Sequence, residues 1–242
     1  QIEDVEAAAR AAGIDPALLP VHDEIDTGMS RQGVSVEGLP AILKRFAPDS
    51  PLRLEGIMTH LYAADESNGE ATRAQMARLQ QALEHVEEAG LYPDWLNVGN
   101  SAALLSGFRN DIVGLAARHG MKPMIRPGLA LYGLAPRFEP ENQQPPAVVA
   151  AASHLQPVLS WKSAIIALRS IEPGTVVGYN GTFVATEPMR LALVTVGYAD
   201  ELFRNLGNRI SLLVRGQRAP MVGRVSMDHT AFAVTGIPDV AV

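Results

Sequence analysis

In the stretch "VHDEIDTGMSRQGV", residues 21–34, His22, Glu24 and Asp26 stand at alternate positions, followed at once by a glycine turn and Arg31. Alternate residues share one face of a β-strand, so these three ionisable groups form a row. Strands of a parallel sheet are covered on both faces, so at least part of that row points into a barrel interior or a site. Other chemistry-bearing residues follow later apolar runs: His60 in "MTHLYAADE", Asn100 and Ser101 in "NVGNSAALL", Arg126 and Gly128 in "IRPGLALYG". A buried arginine without a fixed anion or acceptor is costly, which marks Arg126 as functional. Ser101 at a helix start and the backbone freed by Gly128 suit a phosphate, because helix-terminal N–H groups and glycine-rich backbone bind oxyanions. Taken singly, His60 also fits a half-buried structural histidine, the Asn-Ser pair an ordinary N-cap, and Tyr198 in "VTVGYADELF" a core or interface tyrosine.

The elements that must position these residues alternate through about residue 134. A helix near residues 2–12 precedes a strand at 21–26; a helix around 36–46 precedes the apolar run "LRLEGIMTHLYA". The amphipathic segment "GEATRAQMARLQQALEHVEEAG" ends at Gly90, as helices tend to. Then come "DWLNVGNSAALL", another helical segment and "KPMIRPGLALYGLAP". The rhythm predicts an α/β unit with a parallel sheet and four strands. Ligands of such sheets sit at the carboxyl ends of the strands, where Arg31, His60, Asn100 with Ser101, and Arg126 with Gly128 all fall. The polar, proline-bearing "RFEPENQQPPAVVAAASHLQP" reads as a connector. From Val158 onward short apolar segments are punctuated by Pro-Gly, Asn-Gly and Arg-Gly turns, which predicts an antiparallel β domain. The expected domains are 1–140 and 155–242.

Composition narrows the function. A net charge of -6 without any run of Lys or Arg leaves no electrostatic footprint for nucleic acid or an anionic membrane, so a small-molecule ligand is favoured. Zero cysteines exclude disulfides, thiolate metal sites and a cysteine nucleophile, and are compatible with a reducing cytoplasm. No apolar stretch approaches the roughly 18 to 20 residues of a membrane span.

Seven collinear segments, "EIDTGMSRQGV", "GIMTHLYAADE", "NVGNSAALL", "IRPGLALYGLAP", "VVGYNGTF", "VTVGYADE" and "MVGRVSMD", resemble the alanine racemases. The resemblance implies a partial TIM-type (β/α) barrel followed by a C-terminal antiparallel β domain, binding pyridoxal 5'-phosphate and a small amino acid. In that pattern Arg126 donates to the cofactor's pyridine nitrogen. Asn100 and Ser101, with the amides around Gly128 and Leu129, line the phosphate site, and Arg31 meets the phenolic oxygen and the substrate carboxylate. Racemisation needs a base on each face of the α-carbon. The resemblance implies Tyr198 for one face, supported by His60, and a Schiff-base lysine for the other. An ordinary phenol, with a pKa of about 10, is a weak base at neutral pH and needs such support. Tyr198 and the backbone at Met227 are implied to reach the site from the other subunit of a homodimer. The implied role is cytoplasmic supply of D-alanine for peptidoglycan.

Two departures from the pattern stand out. Glu24 occupies the place of a lysine that is commonly carbamylated in this family, so a carboxylate is expected to serve there as anionic partner of Arg31. The Schiff-base lysine belongs upstream of every segment quoted, and Lys44, Lys122 and Lys162 stand in other contexts. The sequence therefore reads as the middle of such an enzyme, expected to be inactive by itself. The alternatives are a serine or broader-specificity racemase, a non-catalytic binding member, and a metal-dependent hydrolase barrel using His22, Glu24, Asp26 and His60.

Overall fold

The alternation of apolar runs and helical segments becomes a parallel sheet in the computed structural model, which describes residues 2–15, 19–46, 52–140 and 144–242. The chain divides into two units, Gln1–Leu159 and Ser160–Val242. In the first unit the strands are β1 (Pro20–Asp26), β2 (Val34–Ser35), β3 (Arg53–Met58), β4 (Trp95–Asn97) and β5 (Lys122–Met124), ordered β2-β1-β3-β4-β5 with every pair parallel. The helices are α1 (Ile2–Ala11), α2 (Leu39–Leu43), α3 (Glu70–Glu88), α4 (Ser101–Leu105), α5 (Phe108–Arg118) and α6 (Pro146–Ser153).

Ile25, Ile57 and Leu96 of the strands are buried with Leu79, Leu83 and Val86 of α3 and Ile112 and Leu115 of α5. This is the helix-covered face of the sheet. Three elements depart from the sequence reading. The first is β2, a fifth strand where four are expected. The helix expected over 36–46 is the five-residue α2 followed by a 3-10 turn at Lys44–Phe46, with Leu39, Leu43 and Phe46 buried. Part of the expected connector is α6, which opens on proline in its first turn and buries Val148 in the first unit's core.

Along β1 the alternation puts His22 and Asp23 on opposite faces. His22 lies over Gly56 of β3, where an added Cβ would come within 2.7 Å of the ring. Asp23 turns the other way, and its Oδ2 is buried without a hydrogen-bond partner. Desolvation pushes its carboxyl up to about 6, against one backbone hydrogen bond that lowers it. Such a group holds its proton more tightly folded than unfolded. Its contribution is therefore complete below the unfolded value near 4 and is lost as pH rises through about 6. Asp23→Asn is expected to remove this slope and to stabilise the unit above pH 6 by about 3 kcal/mol. Urea unfolding at pH 4 and pH 7 checks it, and an unchanged pH slope would refute it.

The second unit contains β6 (Ile165–Ile171), β7 (Val176–Val177), β8 (Phe183–Val184), β9 (Met189–Val194), β10 (Ser211–Val214), β11 (Gln217–Pro220) and β12 (Thr230–Ala233). The strands β12-β9-β6 form an antiparallel sheet, and β10-β11 and β7-β8 are antiparallel pairs. Arg215 and Gly216 both take positive φ between β10 and β11, the two-residue turn that matches strand twist. Ala192, Val194, Phe232 and Val234 anchor this unit's core.

Candidate active site

Arg126 follows the end of β5 by two residues and is half buried, so its cation needs acceptors. It finds them on neighbouring strand ends: Nη1 donates to Asn97 O at 3.0 Å and to Asn97 Oδ1, while Nη2 donates to Thr59 O at 2.9 Å and to His60 Nδ1 at 3.1 Å. Four of the five guanidinium N–H groups are thereby held, and among the described residues Nε–H has no partner. An arginine can only donate, so His60 Nδ1 accepts and the neutral ring carries its proton on Nε2. Burial first, then the Arg126 and Arg31 cations, push His60 below the ordinary imidazole value, and Glu24 opposes them. Burial also pulls Arg126 down, and Glu24 again pulls up.

A buried polar cluster fixes the strand ends around this pair. Gln75 of α3 donates from Nε2 to Thr27 Oγ1 and to His60 O, and its Oε1 accepts from Tyr62 N, each at 3.0 Å. Thr59 Oγ1 donates to Ile25 O at 2.8 Å. Asn100 caps α4 by accepting from Ala103 N and donates from Nδ2 to Leu61 O. Ser101 is buried, and its Oγ accepts from Gly128 N at 3.0 Å and Ala130 N at 3.1 Å. Among the described residues the Ser101 hydroxyl hydrogen has no acceptor. An added Cβ at Gly128 would meet nothing within 4 Å, so this loop borders open space, and Leu129 beside it is exposed. Gln75, Thr27, Thr59 and Asn97 are not among the residues singled out from the sequence.

Asp26 does not face the site as part of the row. Its Oδ1 accepts from Gly28 N and Ser30 N, and these backbone bonds, Ser30 first, hold its carboxyl below the usual range. It shapes the loop leading to Arg31. Glu24 and Arg31 both line a cavity of about 1060 Å³ with His22 and Met58, and both act on His60 and Arg126. Among the described residues no ion pair joins Glu24 to Arg31 directly, so the anion expected to serve Arg31 exerts its field on the His60–Arg126 pair. Glu24→Gln is expected to lower the His60 pKa further, since Glu24 is the group that raises it. A ring-proton NMR titration reads this, and an upward shift would refute it. Among the described residues no three His, Asp or Glu side chains converge to hold a metal.

In the second unit Tyr198 and Met227 are brought together. Tyr198 N donates to Ser226 O at 3.0 Å and Ala199 N to Met227 O at 2.9 Å, while Gly197 N donates to Asp200 Oδ2. Both side chains stand partly exposed, Tyr198 at 43% and Met227 at 54%. The two segments approach so closely that a Cβ on Gly197 would lie 2.0 Å from Met227 O. Gly197→Ala is expected to cost about 1 to 3 kcal/mol by overpacking. Urea unfolding checks it, and a variant as stable as the parent would refute the tight approach.

Comparison with known proteins places this geometry. Residues 1–136 match the family described as "Alanine racemase, N-terminal domain" and residues 158–242 the one described as "Alanine racemase, C-terminal domain". The alanine racemase of Geobacter sp. (strain M21) is 37% identical over 244 residues, covering 96% of this chain and 59% of its own. That of Sorangium cellulosum (strain So ce56) is 38% identical, covering 90% of this chain and 52% of its own. The crystal structure of the biosynthetic alanine racemase from Pseudomonas aeruginosa superposes with a TM-score of 0.73 at 32% identity, over 99% of this chain and 60% of that one. The Bacillus anthracis alanine racemase with bound L-Ala-P gives 0.76 at 29% identity, over 100% of this chain and 57% of that one. The chain spans about three fifths of the length of these relatives at most. With both domain descriptions matched in order over most of its residues, the chain belongs to the alanine racemase family.

Proposed function

We propose that these residues form walls of the active site of a pyridoxal 5'-phosphate-dependent racemase interconverting L- and D-alanine. The arrangement that carries the reading is the donor set: an anchored guanidinium whose Nε–H has no partner among the described residues, and the Ser101 hydroxyl, held in place by the Gly128 and Ala130 amides. It fits the cofactor, since a fixed cation with an N–H to offer suits an unprotonated ring nitrogen, and a serine hydroxyl at a helix start suits a phosphate. When bound, the cofactor supplies the electron sink that weakens the substrate Cα–H bond.

The chain's own residues do the rest. Arg126 disfavours a proton on any acceptor it contacts, because its charge lowers a neighbouring pKa. Asn100 and Ser101 orient the phosphate end. Arg31, with its planar fork, holds the substrate carboxylate. His60, held neutral by Arg126, offers Nε2–H to stabilise the Tyr198 phenolate, which takes or returns the α-proton on one face. Tyr198 and Met227 come from a second subunit, making a homodimer with composite sites. Lys44, Lys122 and Lys162 are all exposed, and Lys122 Nζ lies 5.4 Å over the Trp95 ring, so the base of the other face is not among them. The product D-alanine would serve peptidoglycan from the cytoplasm; no described helix is long and apolar enough to cross a membrane.

The test is a stereochemical assay of the protein with pyridoxal phosphate and either L-alanine or L-serine. Alanine turnover well above serine by a polypeptide that carries the Schiff-base lysine as well as these residues supports the reading, and turnover of neither by that polypeptide overturns it. A polypeptide limited to residues 1–242 is expected to give none.

A further inference from the structure

The hydrogen bonds behind Arg126 run further than the site requires. Because the guanidinium only donates, the Asn97 atom facing Nη1 is Oδ1. The other end of that amide, Nδ2, also only donates, and it lies 3.3 Å from His22 Nδ1. Nδ1 must therefore accept, and the ring proton sits on Nε2, which faces Glu55 Oε2 of β3 at 3.7 Å. Glu55 Oε1 in turn holds Arg53 Nη2 at 2.9 Å. The imidazole is clamped over Gly56, where no side chain competes with it. Arginine orientation thus dictates an amide orientation, and the amide dictates a tautomer.

We propose that His22 is a positioning residue for Arg126. Its Nδ1 lone pair holds the Asn97 amide in the one orientation that presents an acceptor to the guanidinium. A second proton on His22 would set N–H against N–H. Either the bond to Asn97 breaks, or the amide turns and meets Arg126 with a donor. The charged groups around the ring are Glu55 from β3 and Glu24 on its own strand, with Arg126 reached through Asn97 of β4. The chain of bonds stands by itself, and only its effect on a cofactor rests on the function proposed above.

Nitrogen-15 NMR of the labelled protein tests this. In the parent, His22 Nδ1 is expected to be unprotonated and the Arg126 Nη signals to be resolved by restricted rotation. In His22→Leu those signals collapse and pyridoxal phosphate affinity falls about tenfold, the usual scale for loss of an outer-shell support. His22→Asn, which carries an acceptor close to the Nδ1 position, restores both. A proton on Nδ1 in the parent overturns the proposal without any variant. So does a His22→Leu protein with resolved Nη signals, or a folded His22→Asn protein that restores neither. If the parent binds no pyridoxal phosphate, the proposed function falls while the NMR comparison still decides the role of His22.

Discussion

Arg126→Leu is expected to cost about 2 to 4 kcal/mol of stability and, on the function proposed above, to lower by about 10² to 10³ the racemase activity of a polypeptide that also carries the Schiff-base lysine. The stability loss arises because Asn97 O, Asn97 Oδ1, Thr59 O and His60 Nδ1 lose their donors together. The activity loss arises because the fixed cation and its free Nε–H go with them. Arg126→Lys separates the two effects. One ammonium keeps the charge but cannot serve four acceptors spread around a plane, so stability returns in part and activity does not. In Arg126→Leu the His60 pKa is also expected to rise, because a cation that lowers it has gone. Urea unfolding, the stereochemical assay and a histidine titration read these separately, and full activity in Arg126→Lys would refute the planar donor role.

On the same proposed function, Tyr198→Phe is expected to lower turnover of the lysine-bearing polypeptide by about 10² to 10⁴ while leaving stability nearly unchanged. Among the described residues the phenol oxygen has no hydrogen-bond partner, and the loop hangs on the backbone bonds of Tyr198 to Ser226 and Ala199 to Met227. A large stability loss would instead mark the ring as structural. Mixing denatured and refolded Tyr198→Phe and Arg126→Leu proteins tests the composite site. If Tyr198 acts across subunits, the mixture regains activity that neither variant has; if it acts within its own subunit, the mixture stays inactive.

The strand ends that carry His60, Ser101 and Arg126 were legible in the sequence because β/α alternation announces where parallel strands stop. Their partners were not. Asn97 reads as the polar end of "DWLNVG", and Gln75 as one more polar residue in "RAQMAR". Their roles exist only once α3, β1, β3 and β4 are side by side. Gln75 stands four residues before Leu79 and three after Thr72, on the stripe of α3 that turns inward, and all three are buried. A polar residue on a buried stripe was the available signal. Asp26 was misread for the opposite reason. Strand periodicity put it on the row with His22 and Glu24, but a loop of free amides two and four residues on offered its carboxylate better acceptor duty. The two-residue β2 has too few residues for any period, and α6 was hidden by the prolines before it.

The network around Arg126 has a direction. Every bond leaving the guanidinium is a donation, and Asn97 passes a donation on to His22. A carboxylate at position 97 would abolish the outward donor and call for a proton on the ring nitrogen of residue 22 that faces it. An amide turned the other way would need an acceptor in place of the arginine. Descendants of this sequence are therefore constrained as a set: while Arg126 stays, positions 22 and 97 should change in concert, and a solitary exchange at either should be rare or come with a compensating one. The imprint of the hydrogen-bond direction would then be found in the pattern of joint variation among relatives, where a list of individually invariant positions would miss it.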